Sequence, residues 1–262
     1  MNTKEEIQGG SVAVPVDLLV GYPLEYNKEK IWVKKFYLRE ITGYEEEILL
    51  SRRLDAVEKV IQVISSCTEG ILGVKPTGEE VKVDKSLSDF IVRGLTPIDK
   101  VYLFIKLRVI SLGQTFEFDY NCENPSCGVK SRYSVNLDEI KYTLPSELKF
   151  EYEVKLPSGR VAVCRLPVGE ASVNLMKLST QDVNYASKII LLRLVSLDGK
   201  QPDLNAVRGL SMKDRNYLRE KFNQYEGILD TTFLLKCPIC GNEAEVAVDF
   251  AQPGFFFPKM TE

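Results

Sequence analysis

The chain has 262 residues, 44% of them apolar, a net charge of −3 and an isoelectric point near 5.4. That length suits two modules of about 100–150 residues, and the acidity leaves none of the basic footprint a nucleic-acid binder carries. The sequence holds no histidine, which removes imidazole acid–base catalysis, Ser–His and Cys–His nucleophile pairs and every histidine-containing metal site. No other catalytic motif is recognisable, so the expectation is a protein that is not an enzyme.

The start, Met1-Asn2-Thr3-Lys4-Glu5-Glu6, has no basic end followed by an apolar run and does not read as a secretory signal. Ile189 to Leu197 is the longest apolar stretch. It is broken by Arg193 and Ser196 and is too short to span a bilayer. No membrane segment is expected, and the expected compartment is a cytoplasm. Residues 1–30 read as an N-terminal arm. Within it, Val12 to Val20 is apolar and carries Pro15, which cannot donate to a ladder, so this piece is expected to dock on a surface rather than join a central sheet.

Ile31 to Leu38 reads as a strand. Thr42 with Glu45 is a capping box that opens one long helix through about Ser66, with Leu49, Leu54, Val57, Val60, Ile61 and Ile64 on its apolar face and Gly70 ending it. Glu45, Glu46 and Glu47 suit the positive end of that helix and do not read as a metal cluster. Residues 73–90 read as a loop. Thr96, Pro97 and Asp99 then start a helix that runs to about Ile110. It is apolar almost all round, so it is expected to be buried or covered by another chain. Thr115 to Tyr120 and Ser131 to Leu137 alternate as the two strands of a hairpin, with Cys122 and Cys127 at its tip.

Pro145-Ser146 marks the boundary between module one, 31–145, and module two, 146–262. Module two opens with a hairpin, Lys149 to Leu156 and Arg160 to Leu166 around Pro157-Ser158-Gly159. Ser179 with Asp182 is expected to cap a helix to about Leu197, and Ser211 with Asp214 a helix to about Tyr225. A second hairpin, Phe233 to Lys236 and Ala244 to Phe250, carries Cys237 and Cys240. The tail Phe255-Phe256-Phe257 is expected either to pack on its own domain or to insert into a neighbouring subunit.

One stretch occurs twice. Val92-Arg93-Gly94-Leu95-Thr96-Pro97-Ile98-Asp99-Lys100-Val101-Tyr102-Leu103 returns as Val207-Arg208-Gly209-Leu210-Ser211-Met212-Lys213-Asp214-Arg215-Asn216-Tyr217-Leu218, with seven of twelve positions identical. The same offset carries Phe118 onto Phe233 and Cys122 onto Cys237. This predicts an α+β protein of two duplicated modules, each with strands, helices and a cysteine-tipped, zinc-ribbon-like β-hairpin.

Cys237-Pro238-Ile239-Cys240-Gly241 is a zinc-knuckle pattern. Cys122-Glu123-Asn124-Pro125-Ser126-Cys127-Gly128 is a looser one. A structural zinc takes four ligands and each knuckle offers two, so the pooled reading is one zinc shared by Cys122, Cys127, Cys237 and Cys240. Two other readings stay open: separate free or paired thiols, and a redox pair, although Cys-x-x-Cys here sits in a hairpin and not at a helix start. Cys67 and Cys164 read as core thiols.

Module one resembles a known family, the baseplate hub subunits and hub assembly chaperones of contractile-tailed, T-even-like phages, with relatives in phage-like contractile injection systems. The resemblance rests on Cys67-Thr68-Glu69-Gly70 after a long helix, Asp99 to Arg108, Ser111-Leu112-Gly113, the Cys122/Cys127 pair and Asn136-Leu137-Asp138-Glu139-Ile140. It implies a non-enzymatic structural or assembly protein whose partners are baseplate hub and spike or tube subunits. The alternative is a zinc-ribbon module that binds nucleic acid or works in transcription. The hairpin charges, Glu123 and Glu243 with Lys130, Arg132 and Lys236, form a mixed set that speaks against it. A hydrolase built on acidic residues has no positive sign.

Overall fold

The computed structural model describes residues 12–250 and 253–257. Of the N-terminal arm expected over residues 1–30, the first eleven residues lie outside them. Strands β1 (Val14–Tyr26) and β2 (Glu29–Leu38) form a hairpin. Asn27 and Lys28 turn it, at φ 52° and 66°, a two-residue loop whose backbone twist matches that of the strands. Helices α1 (Gly43–Leu50) and α2 (Ala56–Cys67) follow, and then strands β3 (Thr68–Val74) and β4 (Glu80–Val83). The four strands make one antiparallel sheet in the order β1-β2-β3-β4.

The apolar piece expected to dock on a surface is therefore a strand. It sits at the sheet edge, where Pro15 opposite Tyr37 and Pro23 opposite Trp32 are tolerated. Between Asp17 and Tyr22 the register shifts and the chain bulges out of the ladder. Gly21, at φ +92°, is needed there: a Cβ would lie 2.5 Å from Trp32 Nε1 and from the Val33 carbonyl oxygen.

The capping box is present, with the Thr42 N–H donating to Glu45 Oε2 at 2.9 Å. The single long helix is not. Asp55 is a second N-cap, accepting from the Glu58 N–H at 2.9 Å, and it splits the run into α1 and α2. Nor does Gly70 end the helix: α2 stops at Cys67, and Gly70 lies in β3. The stretch read as loop holds β4, a 3₁₀ turn at Lys85–Leu87 and helix α3 (Ser88–Gly94). Helix α4 (Pro97–Leu112) runs two residues past its expected end, to Gly113. Strands β5 (Thr115–Asn121) and β6 (Lys130–Asn136) form the first cysteine-tipped hairpin, and β7 (Lys141–Thr143) follows.

The second half opens with strands β8 (Glu151–Lys155) and β9 (Val161–Arg165), then helices α5 (Glu170–Lys177) and α6 (Tyr185–Leu191) and strand β10 (Leu194–Leu197). These strands form an antiparallel sheet in the order β10-β9-β8. The helix expected from Ser179 to Leu197 is thus corrected. The Ser179 N–H donates to the Asp182 carboxylate at 2.7 Å in a turn, and the last residues of the apolar run join the sheet. Helices α7 (Leu204–Arg208) and α8 (Met212–Glu226), strand β11 (Ile228–Asp230) and the hairpin β12 (Thr232–Lys236) and β13 (Glu243–Ala247) complete it, with a 3₁₀ turn at Pro253–Phe255. The fold is α+β. Strand β11 pairs with β7, which ties the start of the second hairpin to the exit from the first.

The larger core fills the space between the first sheet and α2, α3 and α4. It also takes Val173, Leu235, Val248, Phe250, Phe255 and Phe256 from the second half. The aromatic tail therefore packs inside its own chain, on Phe104 and Phe116. A smaller core gathers Tyr152, Val154, Ala162, Cys164, Ile190, Leu218 and Phe222.

Candidate metal centre

Each hairpin shapes its tip by backbone bonding. In the first, the Cys122 N–H donates to the Val129 carbonyl at 2.9 Å, and the N–H groups of Cys127 and Gly128 both donate to the Asn124 carbonyl. In the second, the Cys237 N–H donates to the Asn242 carbonyl at 2.8 Å and the Gly241 N–H to the Cys237 carbonyl at 2.9 Å. Gly128 and Gly241, at φ 56° and 72°, each follow the second cysteine of their tip and let the backbone fold under the sulfurs.

The two tips meet. Cys122 Sγ lies 3.6 Å from Cys240 Sγ and Cys127 Sγ lies 3.9 Å from Cys237 Sγ, so each close approach joins one hairpin to the other. All four sulfurs lie within 4.8 Å of one another. Four thiolates at about 2.3 Å from a tetrahedral ion would sit about 3.8 Å apart, so this donor set is compatible with a bound metal. Cys122 and Cys237 are buried, while Cys240 reaches the surface. Backbone N–H groups of Cys240 and Ile239 pull the Cys237 thiol down to about 6. The Asn124 N–H favours the Cys122 thiolate too, but burial and the neighbouring thiols outweigh it and push that group up to about 12.

The other two cysteines stand apart and buried, their thiols pushed up to about 12, first of all by burial. They are inert core thiols, as expected.

What the sequence reading missed is the use made of the first-turn aspartates. Asp99 is buried, and its carboxylate accepts the N–H groups of Leu19, Val20 and Gly21 at 2.8, 3.0 and 2.8 Å. It thereby satisfies the bulge in β1. Asp214 accepts the Ser158 N–H at 3.0 Å from the turn between β8 and β9. The following residue is cationic in both copies. Lys100 Nζ donates to the carbonyls of Arg93 and Leu95 and to Ser172 Oγ. Arg215 donates to the Val207 carbonyl and to Ser187 Oγ. The available signal was the survival of an Asp followed by a cation in two helices that otherwise diverge.

The conspicuous buried charges are thus bonded to backbone, to serine hydroxyls or to each other. Residues 24–257 match the family of the T4 bacteriophage base plate protein, and the chain belongs to that family. It is a T4-like phage baseplate protein with a structural role. No curated protein and no solved structure matches it. Among the described residues no helix is long and apolar enough to cross a membrane.

Proposed function

We propose that this baseplate protein works by binding, not catalysis, and holds hub and spike or tube subunits while the central hub of the baseplate is assembled. We further propose that it consists of two duplicated modules joined near Pro145-Ser146 and pinned by one structural zinc on Cys122, Cys127, Cys237 and Cys240. The carrying observation is the convergence of four sulfurs from hairpins 110 and more residues apart in sequence. When bound, zinc supplies a crosslink between the hairpins and no reaction chemistry.

Parallel anatomy supports the duplication. Each half runs hairpin, two helices, a returning strand, a short helix, a capped helix and a cysteine hairpin. In each, the returning strand adds beside the second strand of the opening hairpin. The Arg39 N–H donates to the Cys67 carbonyl just before β3, and the Arg165 N–H donates to the Arg193 carbonyl just before β10.

A protein partner suits the hairpins better than nucleic acid. Lys130 faces Asp119, Arg132 faces Glu117 and Lys236 faces Glu243 across the strands, so their basic groups are already neutralised.

Metal analysis of the purified chain tests the zinc: one equivalent per chain is expected. Cys122→Ser and Cys240→Ser should each release it, because neither hairpin holds an ion alone. A metal-free chain of full stability would overturn the shared site. Co-purification with hub and spike subunits tests the assembly role, and analysis of mature particles then tells a chaperone from a component.

A further inference from the structure

Four thiolates around one divalent ion leave net negative charge at the sulfurs, and such ligands are steadied by N–H donors aimed at them. The nearby lysines are already engaged, Lys130 with Asp119 at 3.2 Å and Lys236 with Glu243 at 3.5 Å. The donors are backbone and amide groups. The Asn124 N–H serves the Cys122 sulfur, the Val129 N–H that of Cys127 and the Ile239 N–H that of Cys237, each two residues along its own hairpin. Cys240 carries the exposed sulfur. The group that faces it comes from the opposite hairpin: Asn124 Nδ2 lies 3.8 Å away.

The rest of Asn124 holds its amide in that direction. Oδ1 accepts the Ser126 N–H at 3.0 Å, an Asx turn that fixes which end of the side chain faces Cys240. The Asn124 carbonyl accepts the N–H groups of Cys127 at 2.9 Å and of Gly128 at 3.0 Å. One half-buried residue thus bonds to Cys122 and Cys127 through its backbone and reaches Cys240 through its side chain. The last contact spans 116 residues of sequence, so it joins one hairpin tip to the other. It also falls on the ligand that solvent and competing chelators meet first.

Resting on the reading of the four cysteines as one zinc site, we infer that Asn124 is the latch of that site: its side-chain amide positions the Cys240 sulfur and governs how fast the metal leaves. The N–H draws charge from the sulfur, and Cys240 cannot swing away from the ion without breaking that bond. Asn124 is a positioning residue and not a ligand, since its oxygens are taken up by the turn. The lifetime of the pin between the two hairpins is then set by one amide.

Asn124→Asp and Asn124→Ser separate the latch from the turn, because both keep an oxygen for the Ser126 N–H and lose the donor to Cys240. In the full-length chain loaded with zinc, transfer of the ion to the chelator pyridylazoresorcinol should run about 10- to 100-fold faster in Asn124→Asp, whose carboxylate faces a thiolate. Asn124→Ser should speed it several-fold. With cobalt(II) in place of zinc, the visible bands of a tetrahedral ion should keep their intensity in both variants. The sulfur-to-cobalt charge-transfer band should move to longer wavelength, since a sulfur without its N–H donor gives up an electron more easily. Unchanged release and an unchanged band, in chains that bind one equivalent, overturn the latch and leave the shared site standing. Loss of the tetrahedral bands in both variants makes Asn124 a builder of its own tip only, and overturns the latch as well. A wild-type chain that binds neither ion overturns the latch and the shared site together.

Discussion

Helices α4 and α8 begin alike and end in different surroundings. Both start at a hydroxyl cap, Thr96 or Ser211, whose side chain also donates to the aspartate three residues on. Beyond that shared start, α4 carries Phe104, Ile105, Leu107 and Arg108 where α8 carries Arg219, Glu220, Phe222 and Asn223. The first four are buried; of the second four only Phe222 is. The cover over α4 comes from the other half: Phe255 and Phe256 pack on Phe104, and Arg108 holds the Phe255 carbonyl. One local code thus serves two helices, and tertiary context decides which is interior. A helix apolar on most faces had two explanations, burial or a partner chain, and the chain's own tail supplies much of the cover.

The difference can be broken at its strongest point first. Asp99→Ala strands three backbone N–H groups at a buried bulge, at about 1–3 kcal/mol apiece. A loss of about 4 kcal/mol or more is expected, against about 1–2 kcal/mol for Asp214→Ala, which frees the one N–H of Ser158 and weakens a cap. Urea denaturation of both variants measures this, and equal losses would mean the two aspartates are equivalent after all.

Next in size is the borrowed cover. Phe255→Ala should destabilise by about 3 kcal/mol, whereas Leu234→Ala, on the exposed face of β12, should change stability by less than about 0.5 kcal/mol. Thermal melts would show the contrast.

Acid sharpens the comparison further. The side chain of Glu45 is fully buried and paired with Arg39 at 2.8 Å. Burial alone would raise its carboxyl, but Arg39 and the Thr42 N–H prevail and hold it at about 2, against 4.5 ordinarily. A carboxyl depressed on folding contributes stability that is complete above its unfolded value and lost as pH falls toward the folded one. The contribution, on the order of 3 kcal/mol, should therefore fade between pH 4.5 and 2, and Glu45→Gln should flatten that limb of the stability curve. In the second half, burial pushes Glu226 up against the pull of Arg193, so that pair adds no such acid-sensitive loss.

Least is expected at the surface. Arg160 and Asp198 pair at 2.7 Å with both side chains more than a third exposed, and Arg160→Ala should shift stability by less than about 1 kcal/mol, readable in the same urea series.

What could be read in the sequence was whatever had a local cause. Thr42, Thr96 and Ser211 announced helix starts, alternation revealed the first cysteine hairpin, and the repeat offset pointed to the second. Asp55 was just as local a signal, but an unbroken apolar period across it suggested one helix instead of two. Strands β4 and β10 have four residues each, too short for a period of two to stand out from the helical runs beside them. The cysteines could be grouped by counting ligands, yet nothing in either hairpin alone says that the tips approach. The same holds for Phe255 and for Asp99, whose partners lie far off along the chain.

The bulge in β1 has a consequence for how copies of such a protein can stand side by side. At the middle of this edge, the amides of Leu19, Val20 and Gly21 are taken by Asp99, and the Val20 carbonyl accepts both Trp32 Nε1 and Lys34 Nζ. Pro15 and Pro23 offer no amide on either side. An incoming strand would find no continuous row of donors and acceptors to zip onto, so the sheet has no free margin here from which to grow. A neighbour meeting this flank would have to be recognised by side chains, because the edge itself works against fusion of sheets.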